Sequence, residues 1–220
     1  MTMVPPVLVL VHGWGLGPDL WDDLCRSWPE AEAVRLDLGF FGPPVLTPAL
    51  PPNRPVLALG HSLGVLWLLT RQPFAWSALV SINGFDRFSE AQDFRPAVAR
   101  RPLERMIQRL EQHPATVVGD FRQRCGLQAP VPAEPRLTAL RDGLLLLRDG
   151  DARANLPPAP LLALSAGSDA ILPEGMAEAC FHGAPRLERQ HHPNGGHLLP
   201  LTAATWCSEQ SRSFWSGINA

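Results

Sequence analysis

The stretch LALGHSLGVLW, residues 57–67, constrains the fold of this chain more than any other. An apolar run suited to a buried strand ends in Gly60-His61-Ser62-Leu63-Gly64, and a helical spacing takes over from Leu63. A strand that passes into a helix over so few residues must turn sharply. Glycines on either side of the turning residue remove the Cβ atoms that would collide where the two backbones approach. The residue at the apex is held strained and exposed at the carboxyl end of a sheet, in front of a helix N-terminus with free N–H groups. A lone serine at that apex reads as a nucleophile.

The rest of the chain supplies the sheet that this turn requires. Val7–Val11 is a continuous apolar run stopped by His12-Gly13-Trp14-Gly15, as expected of a strand buried on both faces. A helix is expected over Asp19–Trp28, behind Pro18, and a second strand over Ala33–Leu38. Residues 39–55 are proline-rich and read as loop. Strand, helix and strand follow over Val56–Leu59, Leu63–Thr70 and Ala78–Ile82. Later come a strand at Leu161–Ser165, a helix at Glu174–Phe181, a strand at Arg186–Gln190 and a last helix over Leu201–Trp215. Strands alternating with helices predict an α/β fold, a mainly parallel sheet with helices on both faces.

Phe85 to Asp149 breaks the alternation, with helices expected from Pro102, over Ala115–Cys125 and over Arg136–Leu147. The division read from this is a core of residues 1–84 and 150–220, with residues 85–149 inserted as a helical lid. In the first inserted helix Leu103, Met106, Ile107 and Leu110 have core spacing. Arg101, Arg105 and Arg109 recur every four residues as a basic stripe.

Composition narrows the chemistry. The 220 residues carry 19 basic side chains, and all are arginine; with no lysine and no tyrosine, Schiff-base, Walker-lysine and Tyr–Lys relay chemistries are excluded. A net charge of −2 gives no field favouring nucleic acid or an anionic membrane. Cys25, Cys125, Cys180 and Cys207 are scattered, so reduced thiols are expected and neither a disulfide frame nor a metal site. The N-terminal apolar run is of strand length and lacks a basic leader. The expectation is a cytoplasmic monomer needing no metal or organic cofactor, without nucleic-acid or membrane partners.

A serine nucleophile needs a base and an orienting acid, in the chain order Ser, Asp/Glu, His for this architecture. Of seven histidines, His197 follows the last strand in Asn194-Gly195-Gly196-His197 and precedes the last helix, at the correct edge. His12 reads as a loop support and His61 as pointing away from the turn. Asp169, just past the strand Leu161–Ser165, is the first candidate acid, and Asp86, after Ile82, is the rival. Asp37 reads as the brace of a turn. Two backbone donors are needed for a developing oxyanion; the N–H groups of Leu63 and Trp14 are the candidates. The Trp14 side chain reads equally as a hydrophobic plug.

Together these residues resemble the α/β-hydrolase superfamily. More narrowly the chain is similar to the pimeloyl-acyl-carrier-protein methyl ester carboxylesterases of biotin synthesis. LVHGWGL, GHSLGVL, INGFDRF, PLERMIQRL, DFRQRCG, GLLLLRDGDAR, SAGSDAILP and GGHLLP carry the resemblance in order across nearly the whole chain. The chain departs from that pattern in a shortened segment after Asp37, in His61 where tryptophan is common, and in Val65 at a glycine position. The resemblance implies a serine carboxylesterase with an α/β-hydrolase fold. Its substrate would be a small acyl ester presented on an acyl-carrier protein, covered by the helical insertion. Trp14, Phe121 and Cys125 would line the acyl pocket. Arg101, Arg105 and Arg109, with Arg122 and Arg124, would either dock the acidic carrier or form an ordinary solvated face among Glu104, Glu111 and Asp120. A general short-chain esterase or thioesterase and a catalytically silent binding protein stand as the alternatives.

Overall fold

The computed structural model describes residues 5–218, so residues 1–4 of the N-terminal reading lie outside the described residues. Six strands form one sheet: β1 (Val7–Val11), β2 (Glu32–Leu36), β3 (Val56–His61), β4 (Ala78–Ile82), β5 (Leu161–Ala166) and β6 (Leu187–His192). Their order is β2-β1-β3-β4-β5-β6, and every neighbouring pair is parallel. The β-branched and leucine runs of β1, β3 and β4 are buried along their whole length, whereas the edge strands β2 and β6 are only partly covered.

Chain direction decides which face each helix covers. From β1 the chain moves one way to β2, and from β3 it moves the other way to β4. Right-handed crossovers therefore put α1 (Asp22–Ser27) and α2 (Leu63–Arg71) on opposite faces. The closing helix α8 (Ala204–Ile218) packs on α1, and buried Trp21, Leu24 and Trp28 fill that layer. Burial of one such leucine stabilises the fold by about 2 kcal/mol.

Several bounds differ from the sequence reading. The first helical segment begins as a 3-10 turn, Pro18–Trp21, before α1. The helix expected over Glu174–Phe181 shrinks to α6 (Met176–Ala179), because left-handed Gly175 starts it late and Cys180, in extended conformation, ends it before Phe181 at φ 63°. The last helix is broken at Ala203 into α7 (Leu199–Thr202) and α8.

Between β4 and β5 lie α3 (Arg100–Leu110), α4 (Pro114–Arg124) and α5 (Leu137–Asp149), and no strand of the sheet is found there among the described residues. Pro102 falls in the first turn of α3 rather than starting it. Entry and exit of this segment meet at the Arg87–Asp151 bridge, with an ion pair of 2.6 Å. Leu103 and Leu110 are buried and Met106 and Ile107 half-buried, while Arg101, Arg105 and Arg109 face solvent. No helix among the described residues is long and apolar enough to cross a membrane.

Candidate active site

The elbow sits where β3 enters α2. A Cβ on Gly64 would lie 2.2 Å from the Val11 carbonyl oxygen, and one on Gly60 would lie 2.8 Å from Val65 Cα. Those two glycines are what let α2 begin against the ends of β1 and β3. Ser62 itself has φ 53°, a left-handed conformation that costs a non-glycine residue about 1–3 kcal/mol. Packing on all sides holds it there, and the residue is buried.

Two loops at the carboxyl edge of the sheet bring the partners. His197 accepts the Ser62 hydroxyl at Nε2 over 3.1 Å and donates from Nδ1 to Asp169, 2.8 Å from Oδ2. Asp169 Oδ1 takes the N–H groups of Ile171 and Leu172 at 2.8 and 3.0 Å, and Asn83 Nδ2 donates to Oδ2 at 2.6 Å. Burial pushes the Asp169 carboxyl up, but His197, the Leu172 N–H and the Asn83 amide outweigh it and hold the group at about 2. The side chain is an anion throughout the neutral range.

The rival acid is placed elsewhere. Asp86 is buried, accepts the Phe181 N–H at 2.8 Å, and its carbonyl receives Ala152 N–H. Burial raises its carboxyl above the ordinary carboxylate range. It ties the exit of the helical segment to the loop before β6, and among the described residues it makes no hydrogen bond or ion pair with His197. Asp37 accepts the Gly39 N–H at 2.7 Å, and His12 takes the Leu38 N–H at 3.1 Å; both brace the loop after β2.

The first strand's loop presses on the elbow: a Cβ on Gly13 would lie 3.1 Å from Ser62 Cβ. Among the described residues the N–H groups of Trp14 and Leu63 pair with no backbone carbonyl. The Trp14 indole is buried, donates to the Leu140 carbonyl at 2.8 Å, and meets Phe121 edge-on at 5.0 Å. Its side chain is therefore the plug between the loop, α4 and α5.

Two site residues escaped the sequence reading. Asn83, the residue that follows the strand Ala78–Ile82, grips Asp169. His61, read as pointing away, is corrected by the structure: it is fully buried, its Nε2 lies 2.8 Å from the His197 carbonyl oxygen, and the two rings meet edge-on at 5.0 Å. Burial first, then the neighbouring His197, pushes the His61 imidazole down to about 3, so it stays neutral and donates to that carbonyl. A second correction concerns Arg122. Its guanidinium is buried and donates to the Gly15 and Pro130 carbonyls at 3.0 and 3.4 Å, so it holds the Trp14 loop and presents no surface to a partner. Cys125 is also buried, and burial pushes its thiol up to about 12. All four cysteines are free thiols, and no group of three or more His, Cys, Asp or Glu among the described residues is arranged to hold a metal.

A serine hydroxyl on one imidazole nitrogen and a buried carboxylate on the other is a set that can pass the serine proton to the imidazole on attack at a carbonyl. With the parallel sheet and the elbow, it defines an α/β-hydrolase of the serine ester-hydrolase class. Solved structures agree on the fold. An esterase of Thermogutta terrifontis superposes with a TM-score of 0.75 at 18% identity, covering 100% of this chain and 92% of that one. A bromoperoxidase of Bacillus anthracis gives 0.79 at 16% identity, covering 96% and 92%.

Sequence relatives narrow the class. The pimeloyl-[acyl-carrier protein] methyl ester esterase of Aromatoleum aromaticum is 31% identical over 92% of this chain and 95% of its own length. That of Pectobacterium atrosepticum is 31% identical over 94% and 93%. A biotin biosynthesis bifunctional protein of Cellvibrio japonicus is 32% identical over 80% of this chain, which spans only 41% of that longer protein. No protein-family model matches. The chain belongs to the pimeloyl-[acyl-carrier protein] methyl ester esterase family.

Proposed function

We propose that this chain hydrolyses the methyl ester of a pimeloyl chain carried on acyl-carrier protein. The observation that carries the reading is the unbroken line Ser62–His197–Asp169 in a chain of this family. Ser62 Oγ attacks the ester carbonyl as His197 Nε2 takes its proton, and Asp169 stabilises the imidazolium that forms. The oxyanion rests on the N–H groups of Leu63 and Trp14. His197 then gives its proton to departing methanol. Water, deprotonated by His197, hydrolyses the acyl-enzyme and restores Ser62.

The segment of residues 85–149 acts as the lid. Beneath it is an apolar cavity of about 270 Å³ lined by Phe88, Leu103, Met106, Phe121, Ile171 and Leu172, the last two close to Asp169 in the chain. Phe121 supports the acyl-pocket assignment; Cys125 is buried and does not line this cavity, and Trp14 contributes its backbone and its plug.

Carrier docking falls to the exposed face of α3 and α4. Arg101 and Arg105 are exposed and without an ion pair among the described residues. Arg109 is shared with Asp120 at 3.7 Å, and Arg124 is exposed while donating to the Ala170 carbonyl. The test compares carrier-bound methyl ester with a short p-nitrophenyl ester. Added salt and Arg105→Ala are expected to raise KM for the carrier ester alone. Equal effects on both esters would remove the docking assignment.

A further inference from the structure

The connection from β2 to β3 has to pass over β1, since β2 and β3 flank it in the sheet. Parallel crossovers of this kind ordinarily carry a helix that covers the sheet. Here residues 37–55 form none among the described residues; their one regular pairing is the Asp37–Val45 bridge. The flank of α2 that a crossover helix would cover is consequently open as a cleft of about 760 Å³.

Three elements wall this cleft: Phe40 and Leu46 from the crossover, Leu63 and Trp67 from α2, and Leu137 and Leu146 from α5. Its walls are apolar, and its size falls within the roughly 300–1,000 Å³ of small-molecule sites. Of the three large hydrophobic side chains most exposed to solvent, Leu46 (42%) and Leu137 (39%) stand in its wall, and the third, Val45, is the neighbour of Leu46. The charged side chains along it are Arg71, Arg136 and Asp142. None of the three makes an ion pair or a side-chain hydrogen bond among the described residues. Other arginines at the surface are paired, as Arg141 with Glu111 and Arg100 with Asp149, whereas Arg71 and Arg136 keep their guanidinium groups free beside the apolar wall.

We infer that this cleft is a binding site for an amphiphilic monocarboxylate, an alkyl or aryl chain ending in one carboxyl group. The chain lies along Trp67 and Leu146, and the carboxylate is met by the Arg71 and Arg136 guanidinium groups. Two cations against one carboxylate leave a net charge of +1, which suits a single anionic group and disfavours a cationic head. The inference stands apart from the reading of Ser62 as nucleophile, because the site needs no chemistry.

Decanoate, kept below its micellar concentration, is the probe, titrated calorimetrically into the whole protein. Saturable 1:1 binding is expected, at least tenfold weaker in the doubly substituted Arg71→Gln, Arg136→Gln variant. Leu46→Asp, at an exposed position that the fold does not depend on, is expected to abolish it. Decyltrimethylammonium should bind no better to the wild type than decanoate does to the double variant. Wild type whose Ser62 has been capped by a fluorophosphonate should still bind decanoate. Absence of saturable binding, equal binding of the two head groups, or loss of binding on capping would each overturn the proposal; the last would put decanoate in the catalytic pocket. A dimer in sedimentation that Leu46→Asp dissociates would overturn it too, because a second copy of the chain would then occupy the cleft.

Discussion

Asp169→Asn isolates the part played by charge at the site, since the side chain keeps its shape. In the wild type, Oδ1 receives two backbone N–H groups and Oδ2 receives Asn83 and His197. An asparagine that keeps its oxygen on Ile171 and Leu172 turns its NH₂ toward two donors. Asn83 can adapt by rotating its amide, because its own Oδ1 is buried without a partner. His197 adapts only by moving its proton from Nδ1 to Nε2, where it faces Ser62 Oγ. An Nε2–H cannot accept the serine proton. A wrong tautomer of this kind lowers kcat about 10⁴-fold, equivalent to about 5.5 kcal/mol of barrier. Steady-state hydrolysis of a short p-nitrophenyl ester measures it, with KM within a few-fold of wild type. Thermal unfolding should register a loss of about 1–3 kcal/mol from the disturbed hydrogen bonds. Asp86→Asn, at a buried carboxyl that binds the Phe181 N–H and not His197, should leave kcat within a few-fold. The reasoning is refuted if Asp169→Asn keeps more than a tenth of kcat, or if Asp86→Asn shows the large loss instead.

Other outcomes follow from the same contacts. The Asp169 carboxyl falls from its ordinary 3.8 to about 2 on folding, so its stabilisation, about 2 kcal/mol, is full above pH 4 and lost as pH drops through 2. Urea unfolding of wild type and Asp169→Asn should therefore converge between pH 4 and pH 2. His61→Phe keeps the ring but removes the hydrogen bond to the His197 carbonyl; kcat should drop about tenfold, with KM and the pH–rate profile unchanged because His61 is neutral throughout. Gly64→Ala drives a Cβ into the Val11 carbonyl and should destabilise by about 3 kcal/mol or more, whereas Gly119→Ala, with open space in α4, should stabilise by up to about 1 kcal/mol in chemical denaturation. Arg122→Met leaves the Gly15 and Pro130 carbonyls without their donor and should cost about 1–3 kcal/mol of stability, with no selective effect on carrier-bound ester.

The features legible in the sequence are those that a local pattern encodes. Continuous apolar runs marked β1, β3 and β4, and the Gly-x-Ser-x-Gly spacing marked the elbow, because period and turn chemistry depend on near neighbours. Asp169 and His197 were legible as candidates because each follows a strand at one edge of a parallel sheet. What the sequence did not disclose depends on distant residues meeting. His61 and His197 are 136 positions apart. Asn83 looks like any strand stop until the Asp169 loop folds over it. Arg122 belongs to an apparently basic helix, and only the arrival of the Gly15 loop, 107 positions away, buries it. The cleft beside α2 follows from a helix that is missing, which the proline-rich run hinted at without showing what it left open.

The measurement that tests the account most directly is hydrolysis of methyl pimeloyl-carrier protein and of a short p-nitrophenyl ester by wild type and Ser62→Ala. Wild type is expected to prefer the carrier-bound ester, and both activities are expected to disappear in the Ser62→Ala protein. Persistence of either activity without Ser62, or failure of folded wild type to release methanol from the carrier ester, would contradict it.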